Sequence, residues 1–130
     1  MDTHRIEQAW RNSGVTVAYL FGSRAESSAT ERSDHDFAVL FDHDPSLRDV
    51  AALQATLSEI VAGPVDIVEL ARAPLELRAN VVQSGRLIFS IDEPRRIDFE
   101  TATRSRWFDY RPTMEWLTRA YLRRVAAEGL

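Results

Sequence analysis

Gly22-Ser23, ten intervening residues and then Asp34-His35-Asp36 form the pattern in this chain best suited to chemistry. A Gly-Ser step lets the backbone approach the phosphates of a nucleotide closely. Two nearby carboxylates repel each other unless a cation lies between them. A third candidate carboxylate, Asp66, falls in the later apolar run Val65-Asp66-Ile67-Val68-Glu69-Leu70. Phosphate-approaching backbone plus three aspartates for divalent metal is the equipment for nucleotidyl transfer. Oxygen-only ligation suits Mg²⁺, with Mn²⁺ also possible, and two such ions can clamp an in-line displacement at phosphorus.

The flanking segments explain how these residues are positioned. Val15–Phe21 is β-branched and aromatic and reads as a strand. Gly22 ends it, and Ser23 and Arg24 open a short helix or turn whose N–H groups attract anions. Residues 34–41 form the next strand, with Asp34 and Asp36 on one face and His35 and Phe37 on the other. The competing reading is a polar hairpin with residues 27–33 as its loop and the aspartates as edge charges. Asp44 and Pro45 then read as the N-cap and first residue of a helix, with Leu47, Val50, Ala51, Leu57, Ile60 and Val61 at helical spacing. Gly63-Pro64 ends that helix. The strand bearing Asp66 follows, then a helix over residues 74–83 closed by Gly85, and a strand over 86–91.

Before the first strand, residues 2–12 read as a helix with Ile6, Ala9 and Trp10 on its apolar side, stopped by Gly14. Residues 93–128 are helical in pattern. Phe99, Thr103, Trp107, Tyr110, Met114, Leu117, Tyr121 and Val125 step by three or four and predict a stripe that is mostly core. Pro112 should kink this segment or begin a new helix. Phe108 and Trp116 lie off the stripe, as a partner-binding patch or as ordinary packing residues. The element order predicts an α/β (α+β) fold, a small mixed β-sheet flanked by helices.

Composition narrows the chemistry. At 130 residues, with 45% hydrophobic and 28% charged residues, the chain is most simply one domain. It lacks cysteine, which excludes a thiolate nucleophile and a zinc–thiolate site. All sixteen basic residues are arginine, which excludes a P-loop lysine and Schiff-base chemistry and leaves charged phosphate contacts to arginine, Arg24 first. The net charge of −4 argues against direct nucleic-acid binding by bulk electrostatics. No run approaches membrane-spanning length and the first residues lack a signal-peptide core, so a cytoplasmic location with no membrane partner is expected. His35-Asp36 and His43-Asp44 do not make an HD-type phosphohydrolase pair, since one falls in a strand and the other in a turn. Glu69 falls on the face away from Asp66.

The segments Leu20-Phe21-Gly22-Ser23-Arg24-Ala25 and Ser33-Asp34-His35-Asp36-Phe37-Ala38-Val39-Leu40 resemble the polymerase-β-type nucleotidyltransferase superfamily, and more narrowly the minimal nucleotidyltransferase (MNT) family, the antitoxin half of HEPN/MNT toxin–antitoxin pairs. The tail Phe99-Glu100-Thr101-Ala102-Thr103-Arg104 with Phe108-Asp109-Tyr110-Arg111-Pro112 is similar to that family's closing helical segment. The resemblance implies a nucleotidyltransferase fold over residues 1–130, with 92–130 as its C-terminal helical segment. It implies that Gly22 and Ser23 hold the triphosphate of ATP. Asp34, Asp36 and Asp66 would bind two Mg²⁺ ions, and Asp66 would help deprotonate the acceptor hydroxyl. His35 departs from the apolar residue usual between the aspartates and should point away from the metal. The implied reaction moves AMP from ATP to a tyrosine of a cognate HEPN ribonuclease toxin. Transfer to a small hydroxylated molecule such as an antibiotic, and neutralisation by binding alone, are the alternatives.

Overall fold

The computed structural model describes residues 2–22 and 35–128. Four strands form a mixed sheet in the order β3-β2-β1-β4. They are β1 (Val15–Phe21), β2 (His35–Phe41), β3 (Val65–Glu69) and β4 (Arg86–Ser90). β1 is antiparallel to both β2 and β4, and β2 and β3 are parallel. The helices are α1 (Thr3–Asn12), α2 (Leu47–Val61), α3 (Leu75–Ser84) and α4 (Glu93–Glu128), with a short 3-10 turn at Leu70–Arg72. α2 is the crossover that parallel neighbours require.

Strand alternation sends side chains to two cores. Ala18, Leu20, Phe37, Val39, Phe41 and Val65 meet Ile6, Ala9 and Trp10 of α1 and Leu53 and Leu57 of α2. Trp10 is fully buried and stands edge-on to Phe37 at 5.3 Å. On the other face, Val17, Tyr19, Ala38 and Leu40 pack with Leu70 and Val81, and with Leu77 of α3 and Phe99 of α4 at the rim. Val15 belongs to the first core although Val17 belongs to the second. An irregularity in the β1–β2 pairing between them resets the alternation.

Two helix boundaries differ from the sequence expectation. The N-cap of α2 is Ser46, not Asp44: Ser46 Oγ accepts the Asp49 N–H at 3.1 Å while Asp49 accepts the Ser46 N–H at 2.9 Å. This reciprocal pair satisfies two amides that Asp44 alone would not, and Asp44 instead pairs with Arg72. At the other end the left-handed residue is Ala62 (φ 55°), one before the predicted stop at Gly63.

The larger correction concerns α4. It runs as one helix through Pro112. Its stripe is core only at the start: Thr103 is buried and Phe99 half-buried, but Tyr110, Leu117 and Tyr121 are exposed. Off the stripe, Phe108 and Trp116 are exposed as well. Periodicity predicts an apolar face, but the sheet is too short to cover a helix of about 54 Å.

Candidate active site

Asp36 and Asp66 come together through sheet register. In the parallel β2–β3 pair Asp36 stands opposite Asp66, and in the antiparallel β1–β2 pair it stands opposite Phe21. Neighbouring strands lie about 4.8 Å apart, so the two carboxylates are adjacent on one face. It is the face that carries Ala38, Leu40 and Val68, which α3 and the start of α4 cover. Asp36 is half-buried and Asp66 exposed, at the edge of that cover.

Gly22 closes the site from β1. Its φ is +75°, and a Cβ there would stand 2.5 Å from Asp36 Oδ2. Glycine is required on both counts, since a side chain would strain the backbone and displace the carboxylate. The close approach places the Gly22 backbone beside the Asp36 carboxylate. The other expected site residues, Ser23, Arg24 and Asp34, lie outside the described residues.

His35 takes the opposite face, as expected. It is buried, its ring 6.2 Å from that of Phe37, and its backbone N–H donates to the Pro64 carbonyl at 3.1 Å. Its role is in the core beneath the first helix layer. Glu69 also points away from Asp66 and pairs with Arg72 at 3.6 Å. His43 lies past the far end of β2 and contacts Asp42 at 2.7 Å, so the two His–Asp dipeptides do not converge.

One part-buried polar link joins elements distant in the sequence. The Tyr19 hydroxyl donates to Glu100 Oε2 at 2.8 Å, and Glu100 also pairs with Arg96 at 2.7 Å and Arg104 at 3.3 Å. Burial first, and then the Glu100 carboxylate, push the Tyr19 phenol above its ordinary range, so it stays a donor at neutral pH. Tyr19 shares its sheet face with Phe21 and Asp36. The link therefore ties α4 to β1, the strand that leads into Gly22. The Arg96-Glu100-Arg104 spacing is legible as helix ion pairing; the tyrosine that meets it is not.

Adjacent carboxylates on paired strands are a hard oxygen donor set of the kind that suits a divalent cation. The polymerase beta nucleotidyltransferase model matches residues 5–94. The chain belongs to that family. Among solved structures, the crystal structure of a toxin–antitoxin with AMP-PNP has a chain that superposes with a TM-score of 0.81 at 22% identity, covering 94% of this chain and 99% of its own. A chain of the MntA–HepT toxin–antitoxin superposes at 0.74 with 21% identity, over 92% of this chain and 96% of that one. A tri-AMPylated HEPN toxin from Shewanella oneidensis in complex with its MNT antitoxin also gives 0.74 at 21% identity, over 92% and 95%. These likenesses establish a common fold. No curated protein sequence matches the chain. No helix among the described residues is long and apolar enough to cross a membrane.

Proposed function

We propose that this chain is the antitoxin nucleotidyltransferase of a HEPN toxin pair, transferring AMP from ATP to a tyrosine hydroxyl of the toxin and so neutralising it. The observation that carries the reading is the register pairing of Asp36 with Asp66 beside Gly22, in a chain of the nucleotidyltransferase family. The likeness in fold to chains from toxin–antitoxin complexes supports the choice of acceptor.

The residue roles follow from chemistry. Gly22 admits the triphosphate close to the backbone, and Ser23 and Arg24, next in sequence, supply donors to it. Asp34, Asp36 and Asp66 hold Mg²⁺. The two paired carboxylates are a hard oxygen donor set, which fits that ion. Bound Mg²⁺ supplies neutralisation of phosphate charge and alignment of the oxygens around phosphorus. The acceptor hydroxyl oxygen forms a bond to the α-phosphorus. The bond from that phosphorus to the bridging oxygen of the β-phosphate breaks, and pyrophosphate leaves. Asp66, the more exposed of the pair, takes the hydroxyl proton and passes it to solvent.

The test is incubation of α-labelled ATP and Mg²⁺ with the chain and its co-expressed HEPN neighbour, followed by mass spectrometry. The expected product is an AMP adduct on a HEPN tyrosine. Asp36→Asn should lower its rate by about 10²–10³-fold, the scale of losing a transition-state charge stabiliser, with an unchanged circular dichroism spectrum. Full activity in Asp36→Asn would sink the site assignment.

A further inference from the structure

β3 is an edge strand of the sheet, paired on one side only. One bond fixes which of its backbone groups are free. The His35 backbone N–H donates to the Pro64 carbonyl at 3.1 Å. Backbone groups alternate in direction along a strand, so those of Asp66 and Val68 face β2, while the N–H groups of Val65, Ile67 and Glu69 face outward. Among the described residues no backbone group accepts these three outward N–H groups. β3 keeps one register with β2 from His35–Val65 to Val39–Glu69. The opposite edge differs: the pairing of β1 with β4 shifts between Ala18 and Tyr19, an irregularity of the kind that blunts an edge.

An open groove of about 490 Å³ lies between this strand and α2, lined by Ala51 and Ala55 of the helix and by Pro64, Val65 and Asp66. The two alanines stand one helical turn apart and are exposed, so they leave room that larger side chains would fill. Asp66, one of the paired carboxylates of the candidate active site, borders the groove. The flank is acidic: residues 47–69 hold one arginine and four carboxylates.

We infer that the free edge of β3 takes an extended, basic segment of the acceptor protein as an added strand, and that this sets the acceptor hydroxyl beside Asp66. A row of outward N–H and C=O groups is complemented by another extended backbone. An added strand lies about 4.8 Å from β3, and its residue opposite Asp66 sends its side chain to the same face. The residues on either side of it turn to the face of Val65 and Ile67, which pack with the first core, and so toward the groove along α2. A second copy paired through the same edge would bring two acidic flanks together, Asp66 and Glu69 included; a basic segment neutralises one. The inference rests on the transfer reading above and adds the form in which the acceptor is presented.

The test follows amide hydrogen exchange of the full chain by NMR, with and without the co-expressed HEPN protein and without ATP, beside adduct formation with labelled ATP. The Val65, Ile67 and Glu69 amides should exchange about tenfold more slowly or less in the complex, because the added strand accepts them. Ala51→Arg/Ala55→Arg alters exposed positions only, fills the groove and repels a basic segment. It should raise the KM for the HEPN protein about tenfold or more, as losing an interface hot spot does, and leave the KM for ATP unchanged. Thr56→Arg, exposed on the same helix and outside the groove, should act as wild type. Unprotected edge amides with normal labelling by the alanine variant would overturn the added strand and leave the transfer reading intact. Protected amides without any adduct would support the strand and sink the transfer reading. Protection that grows with the concentration of this chain alone would overturn the assigned occupant.

Discussion

Along the first eleven residues of α4, from Glu93 to Thr103, the apolar side packs against α3 and the second core, and polar links pin it there. From Trp107 to Val125 the same three-and-four spacing continues, but Tyr110, Leu117 and Tyr121 are exposed and Trp107, Met114 and Val125 only half-buried. The first part meets Tyr19 and the Phe41 carbonyl; the ion pairs of the second, such as Arg124 with Glu128 at 3.3 Å, stay within the helix. An identical pattern is thus a core element in one place and a surface in the other. The spacing encodes which side of the helix avoids water, and the length of the sheet decides how much of that side is covered.

Paired substitutions break the comparison most directly. Phe99→Ala removes a ring packed against the second core and should cost about 2 kcal/mol or more, below the 3–5 kcal/mol of a fully buried phenylalanine. Leu117→Ala, one of the same stripe, should change stability by less than about 0.5 kcal/mol. Urea unfolding of both variants measures the contrast. Equal losses would mean that the second part of α4 is covered within the chain.

Tyr19→Phe tests the polar link at the root of α4. It keeps the ring and removes one charge-assisted hydrogen bond, so a loss of about 1–2 kcal/mol is expected, since Glu100 retains its arginines. An unchanged midpoint would show that the arginines alone hold Glu100.

The smallest effect belongs to Glu93, at the exposed start of the helix. Hydrogen bonds from Arg96 and Ser90 lower its pKa from 4.5 to about 2. A carboxylate depressed by folding adds stability that is complete above its unfolded pKa and lost as pH falls through the folded value. Glu93→Gln should therefore lower Tm slightly at neutral pH, and the difference from wild type should vanish between pH 4.5 and about 2. A difference constant over that window would remove Glu93 as its source.

Much of the body was legible because its signals are local. The β1 range agrees with the run of β-branched and aromatic residues, and alternation in β2 put Asp36 opposite in facing to His35. Ile6, Ala9 and Trp10 are the buried side of α1 as their spacing requires. The misreadings have local causes too. Two possible caps, Asp44 and Ser46, compete two residues apart, and only the return bond from Asp49 chooses between them. At Pro112 a new helix start is excluded, because the helix runs on across it.

The order of elements, the two apolar sides of the sheet, the facing of Asp36 and Asp66, and the need for glycine after the first strand are written in local stretches of the chain. These follow from periodicities of two and of about 3.6 residues and from the sterics of a single Cβ, all of which act within a few residues. That Asp36 stands opposite Asp66, that Tyr19 meets Glu100 eighty-one positions away, and where along α4 the cover stops emerge from the folded arrangement alone. Those outcomes depend on strand register and on the relative lengths of sheet and helix. Both are set by how distant segments share one core, and no local window of sequence contains them.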